Sequence, residues 1–149
     1  MNKNLIALPI TILALVFVLP SVTQARGAVV ENAIIRLLPG NLPAAGYFTL
    51  NNLSDESIIL KGAESAIYGK VMMHESKEKD GMVHMEQVSA ITLKPGEIVD
   101  FKPRSYHLML MMRREPVAIG DKVSIRLVFE NGHHISVDFK TVSPTEMSH

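Results

Sequence analysis

Residues 122–141 read KVSIRLVFENGHHISVDFKT, two apolar runs on either side of Asn131-Gly132. In the runs Val123–Phe129 and Ile135–Phe139, apolar side chains alternate with polar ones, which is the pattern of half-buried β-strands. Asn and Gly both tolerate the positive φ angles of a tight hairpin turn. This stretch therefore predicts an antiparallel β-hairpin and is the strongest hairpin signal in the chain.

The same signals recur along the rest of the chain, where short apolar runs lie between Gly, Pro, Asn and Asp turns. No stretch has a sustained 3.6-residue period, although Ser65–Gly69 is compatible with one helical turn. Short strands at this spacing are typical of an all-β sandwich or small barrel in a single domain. The predicted strands are Val29–Leu38, Ala45–Leu53, Ser57–Glu64, Lys70–Ser76, Met82–Val88, Ile98–Phe101, Tyr106–Met112, Lys122–Phe129 and His134–Thr141.

The composition excludes several classes of protein. The 149 residues carry 15 Lys and Arg against 15 Asp and Glu, so the chain lacks the positive charge of a nucleic-acid-binding protein. Because there is no Cys, the sequence forms no disulfide, thiolate zinc site, Fe–S cluster or Cys-ligated blue-copper centre. The unusual feature that remains is the presence of nine Met and six His.

The N-terminal residues predict an export signal. A short positive start precedes the uncharged run Leu5–Leu19, and Thr23-Gln24-Ala25 places small side chains at positions −3 and −1 of a cleavage point before Arg26. The run is shorter than the ~20 residues that cross a bilayer, which favours cleavage over a membrane anchor. The absence of Cys excludes a bacterial lipid anchor on that residue. We expect a signal peptide over 1–25, a domain over 26–142 and a short flexible tail over 143–149, in a bacterial periplasm.

Methionine and histidine crowd into one part of the chain. Seven of the nine Met and three of the six His lie between Met72 and Met112. Methionine commonly fills gaps in cores, so any one of these residues taken alone indicates packing. In the predicted strand that holds His107, however, Met109 and Met111 share its face, while two leucines supply the core-facing set. The face opposite the core thus carries an imidazole beside thioethers, and this combination predicts a metal site.

The strands that contain His74 and Met85 predict a hairpin that completes this site. If the turn has an even number of residues, such as Asp80-Gly81, His74 and Met85 lie on the same face. With an odd number, His84 takes the place of Met85 on that face. The residues alone leave these two alternatives open.

Two imidazoles and two thioethers form a donor set that selects a particular ion. Thioether sulfur is neutral and soft and suits Cu(I), whereas Zn²⁺, Ca²⁺ and Mg²⁺ prefer harder or charged ligands. Four ligands leave no open coordination position, and no carboxylate is predicted beside the imidazoles as a general base. The pattern therefore predicts a protein that holds and passes on Cu(I) and is not an enzyme.

The spacing of these residues resembles that of a known family. His74, ten residues, Met85, twenty-one residues and then His107-x-Met109 are similar to the metal signature of the periplasmic PCu(A)C copper chaperones. The surrounding segments are similar as well: AAGYFTL at 44–50, VMMHE at 71–75, LKPG at 93–96, YHLMLM at 106–111 and GDKV at 120–123.

The resemblance implies four Cu(I) ligands, His74, Met85, His107 and Met109, and thus the even-numbered turn. It also implies a cupredoxin-like β-sandwich or small barrel with the ion near its surface. The implied role is delivery of copper to the binuclear copper centre of cytochrome c oxidase subunit II.

Several residues lie outside that signature. Arg113 and Arg114 stand where family members often carry other residues, and we expect them to steer the domain to an acidic partner from a position next to the site. The tail is too short to predict an independent second copper site from Met147 and His149. The expected neighbours of the ion, able to shield or assist it, are Met73, Met82, His84 and Met111.

Two other functions remain open at this point. A periplasmic copper reservoir or resistance protein without a dedicated acceptor requires the same site as a chaperone. A non-metal adhesion or assembly module is the outcome if the Met and His residues only pack. In each case we expect a monomer with no nucleic-acid partner and no stable membrane span after signal cleavage.

Overall fold

The computed structural model describes residues 27–147, so the predicted signal peptide and His149 lie outside the described part of the chain. Within residues 27–147 there is no helix long and apolar enough to cross a membrane. The elements are β1 (Ala28–Arg36), β2 (Ala44–Asn52), β3 (Ile58–Glu64), β4 (Tyr68–Lys79), β5 (Met82–Gln87), β6 (Ile91–Leu93), β7 (Ile98–Phe101), β8 (Tyr106–Arg113), β9 (Lys122–Phe129), β10 (His134–Val142) and a 3₁₀-helix, Pro144–Met147.

All of these strands belong to one sheet. Its order is β5-β4-β8-β7-β2-β1-β10-β9-β3-β6, and β8 also pairs with β2. The β1–β10 and β7–β8 pairs are parallel, whereas β4 pairs with both β5 and β8 in antiparallel register. The arrangement confirms the predicted all-β fold and places β5, β4, β8 and β2 across one surface.

Alternation along the strands produces a single apolar core. In β9 every second side chain is buried, and the residues between them face outward. At the centre, the Phe48 ring stacks on Phe101 with centroids 4.1 Å apart and meets the Phe139 ring edge-on at 5.6 Å. Because the core takes only one face of each strand, the opposite face of β4 and β8 is left for other chemistry.

Two local predictions are wrong. The sequence missed β6, because three residues are too few to show alternation, although Ile91 and Leu93 are buried. Ser65–Gly69 forms no helical turn, because β4 already begins at Tyr68, which pairs with Arg113 of β8. The Ser65 hydroxyl accepts hydrogen bonds from the backbone N–H groups of Ile67 and Tyr68 at the bend before the strand. The described part of the predicted tail contains the 3₁₀-helix, and its Glu146 carboxylate accepts a hydrogen bond from the N–H of Ser143, the residue that precedes the helix.

The β4–β5 hairpin is longer than the sequence predicted. Its ladder continues to the pair Lys79 and Met82, so the turn has two residues, Asp80 and Gly81, with φ angles of 55° and 75°. Two positive φ angles define a type I′ turn, which matches the twist of the flanking strands. The charged run before the turn resembles a loop in the sequence, yet the strand pairing extends through it. Of the two alternatives left open above, the even-numbered turn is the one observed.

A glycine allows β2 to lie close to β8. Gly46 is paired with Leu108, and a Cβ atom at position 46 would lie 3.1 Å from the Leu108 Cβ and 3.4 Å from the Leu110 Cδ1. Both leucines are fully buried, so neither side chain has room to move away. Gly46 therefore permits the close contact between the core and the strand that carries His107.

We expect Gly46→Ala to lower the free energy of unfolding by about 1–3 kcal/mol, because the added methyl overpacks the core against β8. Urea denaturation measures this change. Gly62→Ala is the matched control, since no described residue other than its two chain neighbours lies within 4 Å of a Cβ at that strand position. Equal destabilisation by both substitutions would contradict the close-contact argument.

Candidate metal centre

Strand β8 divides its side chains between the core and the outer face. Leu108 and Leu110 are fully buried in the core, as the alternation predicts. His107 and Met109 project from the opposite face, where Met109 is half-buried and only 7% of His107 is exposed. The β8 half of the predicted donor set therefore shares one face.

Strand β4 brings His74 opposite His107. The two residues form a directly paired position in the β4–β8 ladder, and their ring centroids are 5.8 Å apart at an interplanar angle of 72°. Directly paired residues in an antiparallel ladder project on the same side of the sheet. The two imidazoles therefore meet on the outer face, although 33 positions separate them in the chain.

The hairpin register adds Met85 to the same face. Met85 pairs with Ser76, and Ser76 follows His74 by two positions, so all three side chains project on one side. Met85 lies on the edge strand β5 and is 52% exposed. Because β5 has a neighbour on only one side, Met85 is the predicted donor that is most accessible to an approaching molecule.

A concavity of about 350 Å³ lies beside three of the four predicted ligands. Met85, His107 and Met109 line it together with residues of β1, β2, β4 and the β7–β8 loop. His74 does not line the concavity itself but lies beside His107 on the β4 side. A larger concavity of about 900 Å³ lies near His133 and His134, and none of the four predicted ligands lines it.

Neither nitrogen of His74 has a hydrogen-bond partner within the described residues, although both are shielded from solvent. A buried polar atom without a partner costs free energy, so such atoms are rare unless a ligand satisfies them. Burial also lowers the pKa of His74 below its usual value, with smaller contributions from the positive charges of His107 and Lys70. The shift favours the neutral imidazole, which is the form that binds metal ions.

His107 is oriented by its backbone surroundings. Its Nδ1 lies 3.1 Å from the carbonyl oxygen of Ser105. Since a carbonyl oxygen only accepts, Nδ1 carries the proton and Nε2 keeps a free lone pair in the neutral ring. A hydrogen bond of this kind is the usual support of a histidine that binds metal through its other nitrogen.

Most of the residues predicted as further neighbours of the ion lie elsewhere. Met82 and His84 project from the other face of β5, because each is an odd number of positions from Met85. Met73 is buried in the core. Met111 does lie on the outer face of β8, where it is paired with Lys70.

Sequence reasoning missed Met72, which lies on the outer face directly opposite Met109. Its side chain is half-buried. The signal was present, because Met72-x-His74 in β4 mirrors His107-x-Met109 in β8. An antiparallel ladder joins the two motifs imidazole to imidazole and thioether to thioether.

The prediction that Arg113 and Arg114 adjoin the site is wrong. His107 is near the start of β8 and Arg113 is at its end, a distance of about 20 Å along an extended strand. There the Arg113 guanidinium donates to the Gly40 carbonyl and the Asn41 side chain. Both arginines are absent from the lining of the concavity, which instead contains Arg36 and Arg104.

Fold and site together define a class: an all-β domain with imidazoles and thioethers gathered on one outer face. Among residues 27–147, no group of three or more His, Cys, Asp or Glu side chains is placed to hold a metal ion. The sequence model of the family described as "Putative lipoprotein LpqE-like" matches residues 28–141. The chain therefore belongs to the LpqE-like family.

Two curated bacterial proteins are similar in sequence. "Putative lipoprotein Lxx21020" of Leifsonia xyli subsp. xyli (strain CTCB07) is 28% identical over 110 residues, which are 73% of this chain and 66% of that protein. "Uncharacterized protein RP573" of Rickettsia prowazekii (strain Madrid E) is 32% identical over 101 residues, which are 67% of this chain and 56% of that protein. The matched segments thus span less than two thirds of each relative.

Solved structures confirm the cupredoxin-like fold and the resemblance to PCuAC domains. The copper-bound PCuAC domain from PmoF2 superposes with a TM-score of 0.67 at 24% identity, covering 80% of this chain and 96% of that one. The solution structure of CuI-DR1885 from Deinococcus radiodurans gives a TM-score of 0.65 at 27% identity, covering 80% of this chain and 81% of that one.

Proposed function

We propose that this protein is an exported metallochaperone that binds one Cu(I) ion through His74, Met85, His107 and Met109. The observation that carries the proposal is the pair of shielded, unpartnered nitrogens of His74 opposite His107. A metal ion bound to one of them would satisfy a polar atom for which the described residues offer no partner. The copper is cargo that the protein holds and releases.

The donor types support Cu(I) in preference to other ions. All four side chains are neutral as ligands, and thioether sulfur is soft, so a monovalent soft cation fits them better than Zn²⁺ or Ca²⁺. The similar protein DR1885 was solved in a form named CuI, and a similar PmoF2 domain was solved copper-bound. These two proteins support assigning copper to the matching fold in this chain.

The position of the site supports transfer. Met85 is on an exposed edge strand and Met109 is half-buried, so an incoming ligand reaches the thioethers before the imidazoles. Neutral ligands hold Cu(I) without the charge attraction of thiolates, so an acceptor with Cys thiolates is the thermodynamically favoured destination. We propose the reduced binuclear copper centre of cytochrome c oxidase subunit II as that acceptor. The alternative is a copper reservoir, which has the same site and no dedicated acceptor.

X-ray absorption on the purified, Cu(I)-loaded protein tests the site. We expect one copper ion per chain, with both nitrogen and sulfur scatterers in its coordination shell. As a control, Zn²⁺ is offered to the apo protein under the same conditions, and we expect the protein to bind it weakly. Preferential zinc binding, or a copper shell without sulfur, would overturn the proposed site.

We expect Met85→Leu to weaken Cu(I) binding by about tenfold, because the substitution removes one thioether and keeps the volume of the side chain. Competition with a chromophoric Cu(I) chelator measures the affinity. Met82→Leu is a closely matched control, since Met82 is on the same strand and is 60% exposed but projects from the other face. Similar losses in the two variants would exclude Met85 as a specific ligand.

A further inference from the structure

The concavity that holds the thioethers is positively charged. Two of its lining residues are arginines, Arg36 and Arg104, and none is acidic. The four proposed ligands are neutral, so a bound Cu(I) ion adds a third positive charge. Like charges confined to one concavity repel each other unless an anion joins them.

Arg36 lies in β1, which is separated by β2 from the part of β8 that carries Met109, and it lines this concavity. Ala45 in β2 pairs with Met109 on one side and with Arg36 on the other, so Arg36 and Met109 share a face about 10 Å apart at the backbone. The guanidinium carbon lies 5.9 Å from the centre of the Tyr47 ring, which supports the flat side of the group. The Arg36 Nε is shielded from solvent and has no hydrogen-bond partner in the described part of the chain.

Arg104 lines the same concavity. It lies in the loop between β7 and β8, three positions before His107, and has a φ angle of 63°. The Ser105 N–H donates a hydrogen bond to the Lys102 carbonyl, so this φ angle belongs to a tight turn that fixes the position of Arg104 at the start of β8. Neither Arg104 nor Arg36 forms an ion pair with an acidic side chain of residues 27–147.

We infer that Arg36 and Arg104 form a docking site for a carboxylate side chain of the protein that exchanges copper with this chain. The inference rests on the proposed function and names the partner's recognition chemistry. Guanidinium groups bind carboxylates through paired charged hydrogen bonds, and the partly exposed Arg36 and the exposed Arg104 present such donors at the concavity. A carboxylate held here neutralises the concavity and brings the partner's own copper ligands next to Met85 and Met109.

Transfer kinetics with the full mature protein test this docking site. The Cu(I)-loaded protein is mixed with the reduced apo soluble domain of cytochrome c oxidase subunit II, and the acceptor's copper absorption is followed with time. The variant is Arg36→Gln with Arg104→Asn, because Asn tolerates a positive φ angle. The charge-matched control is Arg114→Gln with Lys122→Gln, two exposed positions outside the concavity.

We expect the Arg36→Gln/Arg104→Asn variant to transfer copper about tenfold or more slowly than wild type at low salt. Its Cu(I) affinity should not fall, because the change removes positive charge near a cation. Added salt or millimolar succinate should slow the wild-type protein toward the rate of this variant. Arg36→Lys with Arg104→Lys should recover part of the salt-dependent rate.

Different results overturn different parts of the argument. The docking site is overturned if the Arg36→Gln/Arg104→Asn variant transfers copper as fast as wild type. It is also overturned if the Arg114→Gln/Lys122→Gln control is slowed as much as that variant. Both results leave the chaperone function intact. A loss of Cu(I) affinity in the arginine variant also overturns it, because the arginines then support the metal centre. Wild-type transfer no faster than release to a small chelator overturns delivery to this acceptor, and the docking proposal fails with it.

Discussion

We expect His74→Leu to stabilise the copper-free protein and to weaken its binding of Cu(I) strongly. The shielded nitrogens of His74 have no partner within residues 27–147, and leaving such atoms unsatisfied costs about 1–3 kcal/mol. Leucine removes them and has a similar volume, so we expect the free energy of unfolding of the apo protein to rise by about 1–2 kcal/mol. Urea denaturation in the presence of a copper chelator measures this change.

The same substitution removes a proposed ligand. We expect Cu(I) affinity to fall by more than about 100-fold, since even supporting groups around a metal typically change affinity by 10–100-fold. A 100-fold weaker affinity lowers the stabilisation by excess ligand by about 2.7 kcal/mol. The variant should therefore be more stable than wild type without copper and show a much smaller rise in melting temperature with it.

His84→Leu is the control, because His84 is exposed and lies on the other face of β5 in the same hairpin. We expect it to change neither the apo stability nor the affinity beyond small surface effects. Destabilisation of the apo protein by His74→Leu would instead identify His74 as a structural residue. Unchanged Cu(I) affinity would remove it from the donor set.

The division of β8 between core and site followed from the sequence, because strand geometry has a fixed period of two. Once Leu108 and Leu110 are assigned to the core, His107 and Met109 must face the other way. The face shared by His74 and Met85 did not follow from periodicity alone. It depended on whether the turn has an even or odd number of residues, which a run of charged residues before Asp80-Gly81 left ambiguous.

The contacts that complete the candidate site are long-range, and the periodicity of a single strand does not determine them. The direct pairing of His74 with His107 depends on the β4–β8 register, which brings together two strands distant in the sequence. Arg36 enters the concavity only because β2 pairs with both β1 and β8. The position of Arg113 was predicted wrongly because closeness in sequence was taken as closeness in space. Arg113 follows His107 by six positions, which is about 20 Å along an extended strand.

Met109→Leu is expected to lower Cu(I) affinity by about 100-fold with little change in stability. The thioether lies next to His107 on the outer face, whereas the leucine side chain keeps its size and apolar character. Exchanges that conserve volume in this way usually cost less than about 1.5 kcal/mol. Chelator competition and urea denaturation on the same samples separate a loss of binding from a loss of fold.

Met111→Leu provides the sharper comparison, because Met111 is on the same strand, the same face and is similarly half-buried. It is paired with Lys70, whereas Met109 is paired with Met72 and lines the concavity with His107. A ligand role at position 109 therefore requires a large loss in Met109→Leu and less than about a threefold loss in Met111→Leu. Equal losses of Cu(I) affinity would mean that any nearby methionine on this face binds copper. If neither substitution changes the affinity, both methionines only pack. Since both variants make the same chemical change, the contrast between them depends only on position relative to the two imidazoles.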